Sequence, residues 1–84
     1  MYYVYVLRSV VDSRYYIGFS ADLRKRVANH NAGLNQATKA GLPWELLYYE
    51  AFQNELAARR REQKLKQFGK RWAELKKRID PNNA

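Results

Sequence analysis

Five side chains have the types and spacing for acid–base chemistry on phosphate: Tyr5, Tyr16, Arg26, His30 and Glu62. Phosphodiester cleavage needs an acceptor for the attacking water's proton, a cation near the pentavalent phosphorus and help for the leaving oxygen. Arg26 can bridge two phosphate oxygens, and His30 is the group tuned nearest neutral pH. A single carboxylate such as Glu62 can hold Mg²⁺ when substrate phosphates and waters complete the octahedron. Tyr5 or Tyr16 is a poor base at its ordinary pKa of about 10 unless nearby cations lower it. Other nucleophiles lack support. There is no cysteine, and Ser9, Ser13 and Ser20 fall at a strand end, a turn and a helix cap without a partnering base. Each of the five also has a plainer reading. Glu62 can be the counter-ion of Arg59 or Lys66, Arg26 can pair with Asp22 four residues back, a lone helix histidine is more often structural, and tyrosine-rich strands are usually core and rim.

The elements that must position these groups are legible in the pattern. Tyr3, Tyr5 and Leu7 alternate with Tyr2, Val4 and Val6, a first strand over 1–9. Asp12-Ser13 supplies turn chemistry for an antiparallel return, and Tyr15, Ile17 and Phe19 alternate with Tyr16 and Gly18 in the second strand. The hairpin lays Tyr5 and Tyr16 on neighbouring strands, with the shared face left to the register. Ser20 is the expected N-cap of the next helix, with Asp22 in its first turn. Leu23 and Val27 mark its buried stripe, Arg26 and His30 stack on a neighbouring strip, and the helix ends near Asn31 with Gly33 as the left-handed stop. A loop over 33–43 holds Asn35, Gln36, Thr38 and Lys39, suited to phosphates and equally ordinary for a surface loop.

Trp44 to Phe52 is a near-continuous apolar run, expected to be a strand buried on both faces and central in its sheet. Asn54 caps a second helix whose stripe is Ala57, Ala58, Leu65 and Phe68, with Glu62 at its edge on the core side. Gly69 separates a third helix, in which Trp72, Leu75 and Ile79 repeat at i, i+3 and i+7, and Asp80-Pro81 stops it. The order ββαβαα predicts an α+β fold, a small three-stranded antiparallel sheet packed with helices, as a single domain over residues 1–84.

The chain has 84 residues, 46% apolar and 14% aromatic, which is the composition of a small folded domain. Without cysteine it has neither disulfides nor a thiolate zinc site, and with one histidine any metal rests on oxygen ligands, favouring magnesium or manganese. No apolar run is long enough for a membrane span, and the expected location is the cytoplasm. The net charge is +8, and ten of the sixteen Lys and Arg lie from Arg59 onward. That density points to a polyanion, nucleic acid first and an anionic membrane surface second, against solubility alone. Lys25, Lys39, Arg59, Arg60, Lys64 and Lys66 are the cations expected to meet DNA, with RNA left open beside it.

Tyr3-Val4-Tyr5 followed, eleven residues after Tyr5, by Tyr16-Ile17-Gly18 resembles the GIY-YIG nuclease superfamily. The likeness extends to Arg26, ten residues beyond Tyr16, to His30 one helical turn later, and to a glutamate helix, Arg61-Glu62-Gln63-Lys64-Leu65-Lys66. It covers nearly the whole chain and looks closest to small bacterial members similar to the nuclease domain of the excision-repair incision enzyme. Pro43-Trp44-Glu45-Leu46-Leu47-Tyr48-Tyr49-Glu50 is typical of those members. The resemblance implies a ββαβα core and one Mg²⁺ or Mn²⁺ held by Glu62. It also implies a tyrosine, Tyr5 in the first place, near the attacking water, with Tyr16 and His30 assisting and Arg26 stabilising transition-state charge. Tyr3 stands where the name motif has glycine, Asn82 and Asn83 receive no role, and no recognition domain is visible. The expected function is a metal-dependent DNA endonuclease, structure-selective or weakly sequence-specific, in repair or recombination. The alternative is a non-catalytic nucleic-acid-binding module on the same fold.

Overall fold

The structure is a computed structural model and describes residues 1–67 and 69–83. Among them lie strands β1 (Tyr2–Ser9), β2 (Tyr15–Ser20) and β3 (Trp44–Phe52) and helices α1 (Leu23–Asn31), α2 (Glu55–Lys66) and α3 (Lys70–Ile79). Short 3₁₀ turns cover Lys39–Gly41 and Pro81–Asn83. The fold is α+β, an antiparallel sheet of order β2-β1-β3 with helices packed on it, as the ββαβαα pattern predicts.

β1 occupies the centre because both of its faces are apolar. Val4 and Val6 turn one way, into a core with Ile17 of β2, Ala58 and Leu65 of α2, and Trp72 and Leu75 of α3. Tyr5 and Leu7 turn the other way and pack with Trp44, Tyr16, and Leu23 and Val27 of α1. The period-two alternation of a pleated strand thus feeds two layers, one under α2 and α3 and one under α1. β1 pairs with β2 so that Tyr5 lies opposite Gly18 and Leu7 opposite Tyr16, which puts both tyrosines on the α1 face.

Four expectations change. β3 is an edge strand, not the central one, and Leu46 and Tyr49 are 39% and 52% exposed. A bulge opposite Val6 and Leu7 breaks its alternation, so its apolar run reflects an irregular register and not burial on both sides. The N-cap of α1 is Asp22, whose Oδ1 accepts from Lys25 N at 3.1 Å. Ser20 cannot serve because it is still in β2, and its hydroxyl is engaged by the Asp22 backbone. Leu23 and Val27 are only half-buried, and His30 is the buried residue of α1. On α2 the buried positions are Ala58 and Leu65; Ala57, about 100° round the helix from Ala58, is exposed, and Phe68 lies outside the described residues.

Gly33 follows α1 at φ +76, the left-handed stop expected of it. Asn54 caps α2 through Ala57 N at 3.0 Å. Asp80, read from sequence only as part of a stop, is buried at the end of α3 and accepts from Tyr15 OH at 2.6 Å and from Arg8 Nη1 at 3.0 Å. Arg8 also pairs with Glu45 of β3, so one arginine ties the end of α3 to the sheet. Burial, together with Asp80, pushes the Tyr15 hydroxyl up to about 12. No helix among the described residues is long and apolar enough to cross a membrane.

Candidate active site

Tyr5 and His30 meet in the buried layer under α1. The Tyr5 hydroxyl lies 2.8 Å from His30 Nε2, and His30 Nδ1 lies 2.8 Å from Thr38 Oγ1. The Thr38 hydroxyl donates onward to the Asn35 carbonyl at 3.5 Å. In the tautomer consistent with that direction, Thr38 accepts from Nδ1–H and Nε2 accepts from Tyr5. Tyr16 completes the cluster, its ring centroid 4.9 Å from that of His30 and 6.4 Å from that of Tyr5. All three side chains project into one space because β1 and β2 share that face and α1 crosses it.

Two local features hold the cluster. Gly18 lies opposite Tyr5, and a Cβ there would overlap the tyrosine ring, whose Cε1 is 2.9 Å away. The glycine of β2 is therefore the space that Tyr5 fills, the close approach that a glycine inside a strand signals. The loop carrying Thr38 is held from β3: Trp44 Nε1 donates to the Thr38 carbonyl at 2.6 Å, and the Asn31 side chain takes both backbone groups of Trp44 at 2.8 and 2.9 Å.

Burial pushes the Tyr5 hydroxyl well above its ordinary range; Tyr16 and Glu62 add to the rise, and Arg26 opposes it. Cations therefore do not turn Tyr5 into a ready tyrosinate, because desolvation outweighs the one arginine that favours it. Burial, followed by the charge of Arg26, lowers His30 below its usual 6.5, so the imidazole is neutral at physiological pH. Arg26 is exposed on α1, close enough to act on both Tyr5 and His30. Glu62 of α2 acts on Tyr5 as well, although it comes from the opposite layer. The three rings of Tyr5, Tyr16 and His30 are thus brought together, whereas Glu62 stands on α2 in the other layer.

The six expected DNA-contacting cations are more scattered. Lys66 Nζ pairs with Glu62 at 2.9 Å, the plain counter-ion arrangement, and the Glu62 side chain is 16% exposed. Arg59 pairs with Glu55 at 2.9 Å and lays its guanidinium 4.2 Å over the Phe19 ring of β2. Lys25, Lys39, Arg60 and Lys64 are exposed, in the first turn of α1, in the 3₁₀ turn and on α2. Thr38, grouped by sequence with phosphate-touching loop residues, is instead fully buried as the partner of His30.

The candidate site thus draws its tyrosines from a three-stranded sheet, an arginine and a histidine from the next helix and a glutamate from a later one. Residues 1–78 match the family model described as the GIY-YIG catalytic domain, and the chain belongs to that family. It is similar to a UPF0213 protein of Streptococcus pyogenes serotype M3, 49% identical over 57 residues, which cover 67% of this chain and 61% of that protein. A UPF0213 protein of serotype M5 is 47% identical over the same share of each. The matched stretch is thus about three fifths of the length of these curated relatives. The solution NMR structure of the UPF0213 protein BH0048 from Bacillus halodurans is also similar, with a TM-score of 0.57 and 28% identity. That likeness covers 95% of this chain and 86% of the other.

Proposed function

We propose that the domain formed by residues 1–84 is a divalent-metal-dependent DNA endonuclease, acting in the cytoplasm on structured or weakly specified DNA during repair or recombination. The observation that carries this reading is the hydrogen-bonded line Tyr5–His30–Thr38 beside Tyr16, within electrostatic reach of both Arg26 and Glu62.

A raised hydroxyl cannot take a proton and keep its own. Tyr5 can accept the proton of an attacking water only by passing its hydroxyl proton to His30 Nε2, 2.8 Å away. His30 is prepared for this because burial keeps it neutral and Thr38 holds Nδ1–H, so Nε2 presents a lone pair. Arg26 supplies charge where a phosphate would accumulate it, and its fork suits two phosphate oxygens. Tyr16, half-buried at the rim, can donate to a phosphate oxygen and orient it. Positioned proton transfer of this kind is worth roughly 10²–10⁴ in rate.

The residues suit a hard divalent cation. Among the described residues no three His, Cys, Asp or Glu gather as a complete cage, and Mg²⁺ needs only one or two carboxylates when waters and phosphates supply the rest. Glu62 would hold it, and Glu62 already carries one cation, the Lys66 ammonium at 2.9 Å. When bound, the ion would neutralise charge on the phosphate and its leaving oxygen.

That same ion pair favours the second reading, a nucleic-acid-binding module in which Glu62 only balances Lys66. Labelled duplex, single-stranded, flap and four-way-junction DNA, incubated with Mg²⁺, Mn²⁺ or EDTA, separates the two. Cutting that needs metal and disappears in Glu62→Ala and Arg26→Ala supports the nuclease. Salt-sensitive binding without cutting of any substrate supports the module.

A further inference from the structure

Helix α2 has two differently charged flanks. Its buried line runs through Ala58 and Leu65, and the half-buried residues between them, Arg61 and Glu62, diverge. Glu62 acts on Tyr5. Arg61 turns towards edge strand β3, where Nε and Nη2 each bond Glu50 at 2.9 Å. Burial raises Glu50, but the bonds from Arg61 and Tyr48 outweigh it and hold the carboxyl below its usual range, so Arg61 is fixed by a charged partner.

Beyond Arg61 a groove opens between α2 and α3. One cavity of about 310 Å³ is lined by Arg61, Arg71, Glu74 and Arg78. It continues into another of about 390 Å³, lined by Lys64, Lys70, Arg71 and Glu74. Arg71 and Glu74 line both, and beside Arg61, which Glu50 already holds, the two cavities carry Lys64, Lys70, Arg71 and Arg78 against the one carboxylate of Glu74. That carboxylate is exposed and already within 3.9 Å of Lys70. Arg71 and Arg78 are seven residues apart on α3, a rise of about 10 Å along the helix axis, and both line the first cavity. A surface built for solubility alone intersperses the two signs. Here cations outnumber the carboxylate in a concavity, which focuses their field, and Arg71 and Arg78 are arginines, the residue that grips phosphate with two bonds.

We propose that the α2–α3 groove binds the phosphate backbone of a second nucleic-acid segment, one that is not the strand at Tyr5. The two regions lie on opposite sides of the sheet: Tyr5 packs in the layer under α1, whereas α2 and α3 bury Ala58, Leu65, Trp72 and Leu75 against the other face. The inference rests on the nucleic-acid reading above and extends it: a domain gripping two segments favours DNA in which two backbones diverge or meet, such as a flap or junction.

The test is equilibrium binding in EDTA by fluorescence anisotropy across a salt series. Wild type is compared with Arg71→Gln/Arg78→Gln on a short single strand and on a flap of the same sequence. Both positions are exposed, and circular dichroism checks that the variant is folded. The variant is expected to bind the flap about tenfold more weakly, with a salt slope lower by about 2, since each phosphate contact contributes about 0.9. The short strand is expected to change by less than about twofold. Arg71→Lys/Arg78→Lys keeps the charge without the two-bond grip and is expected to restore part of the flap affinity. Equal weakening on both substrates, or none on either, overturns the second tract while leaving the nucleic-acid reading intact. Wild type failing to bind either substrate saturably overturns both. Binding to phosphatidylserine vesicles through these arginines, with flap affinity unchanged, also overturns it.

Discussion

Replacing Gly18 with alanine sets one methyl group against the ring on which the candidate site depends. Tyr5 is 1% exposed, with His30 bonded to its hydroxyl and Tyr16 beside it. A Cβ at position 18 would overlap the aromatic ring and its hydroxyl, not the far end of a flexible side chain. Overpacking a full site costs about 1–3 kcal/mol. If the ring moves instead, the buried His30 Nε2 loses its partner, at a comparable cost of about 1–3 kcal/mol. In a domain of this size each kcal/mol moves Tm by about 4–8 °C, so Gly18→Ala should melt at least several degrees lower by circular dichroism. The same substitution in a Tyr5→Ala background reverses sign. Gly18 is not at a positive φ, so with the ring gone alanine should stabilise by about 0.4–1 kcal/mol through the unfolded chain. A Gly18→Ala protein as stable as wild type with Tyr5 in place, or an equal cost in both backgrounds, would refute the packing of Tyr5 onto Gly18.

Other perturbations test neighbouring parts. His30 is buried with its pKa below the ordinary 6.5, so the unfolded chain binds its proton first and stability drops as pH falls from 6.5 towards the folded value. Denaturant midpoints between about pH 7.5 and 5 should decline less in His30→Gln than in wild type, and parallel curves would contradict the buried neutral imidazole. Thr38→Val leaves Nδ1–H without its acceptor and should cost about 1–3 kcal/mol in urea unfolding. Thr38→Ser should recover most of that, and failure of the serine to do so would remove the hydroxyl's role. Asp80→Ala strips Arg8 and Tyr15 of a shared buried acceptor. It should lower stability by about 1–3 kcal/mol and raise amide exchange in α3; unchanged exchange there would mean that α3 is held by its apolar face alone.

The fold was legible where the pattern had a single reading. The alternation of β1 and β2, the asparagine cap of α2 and the Trp72–Leu75–Ile79 spacing each corresponded to one arrangement, and the structure has those arrangements. β3 misled because an apolar run does not distinguish a strand buried on both faces from an edge strand with a bulge. The cap of α1 misled because Ser20 and Asp22 both carry capping chemistry, and only the end of β2 decides between them. Among the candidate site residues, the pairing of Tyr5 with His30 was half visible, since helix periodicity gives the strip carrying His30 but not what it crosses. Thr38 was hidden because its contact with His30 is tertiary and its loop has no period. Gly18 carried a usable signal, a glycine inside a strand, which marks close approach. Asp80 was read as a chain stop because nothing local reveals that Arg8 and Tyr15 reach it from the sheet.

The proton transfer from water through Tyr5 to His30 is tested most directly by single-turnover cleavage of labelled flap DNA at saturating Mg²⁺, with wild type beside Tyr5→Phe. The phenylalanine keeps the ring over Gly18 and removes only the oxygen bonded to His30. A fall of at least about 100-fold in the cleavage rate, with flap affinity in EDTA within about twofold of wild type, is the expected result. Cleavage undiminished in Tyr5→Phe would contradict it and move the proton acceptor away from Tyr5.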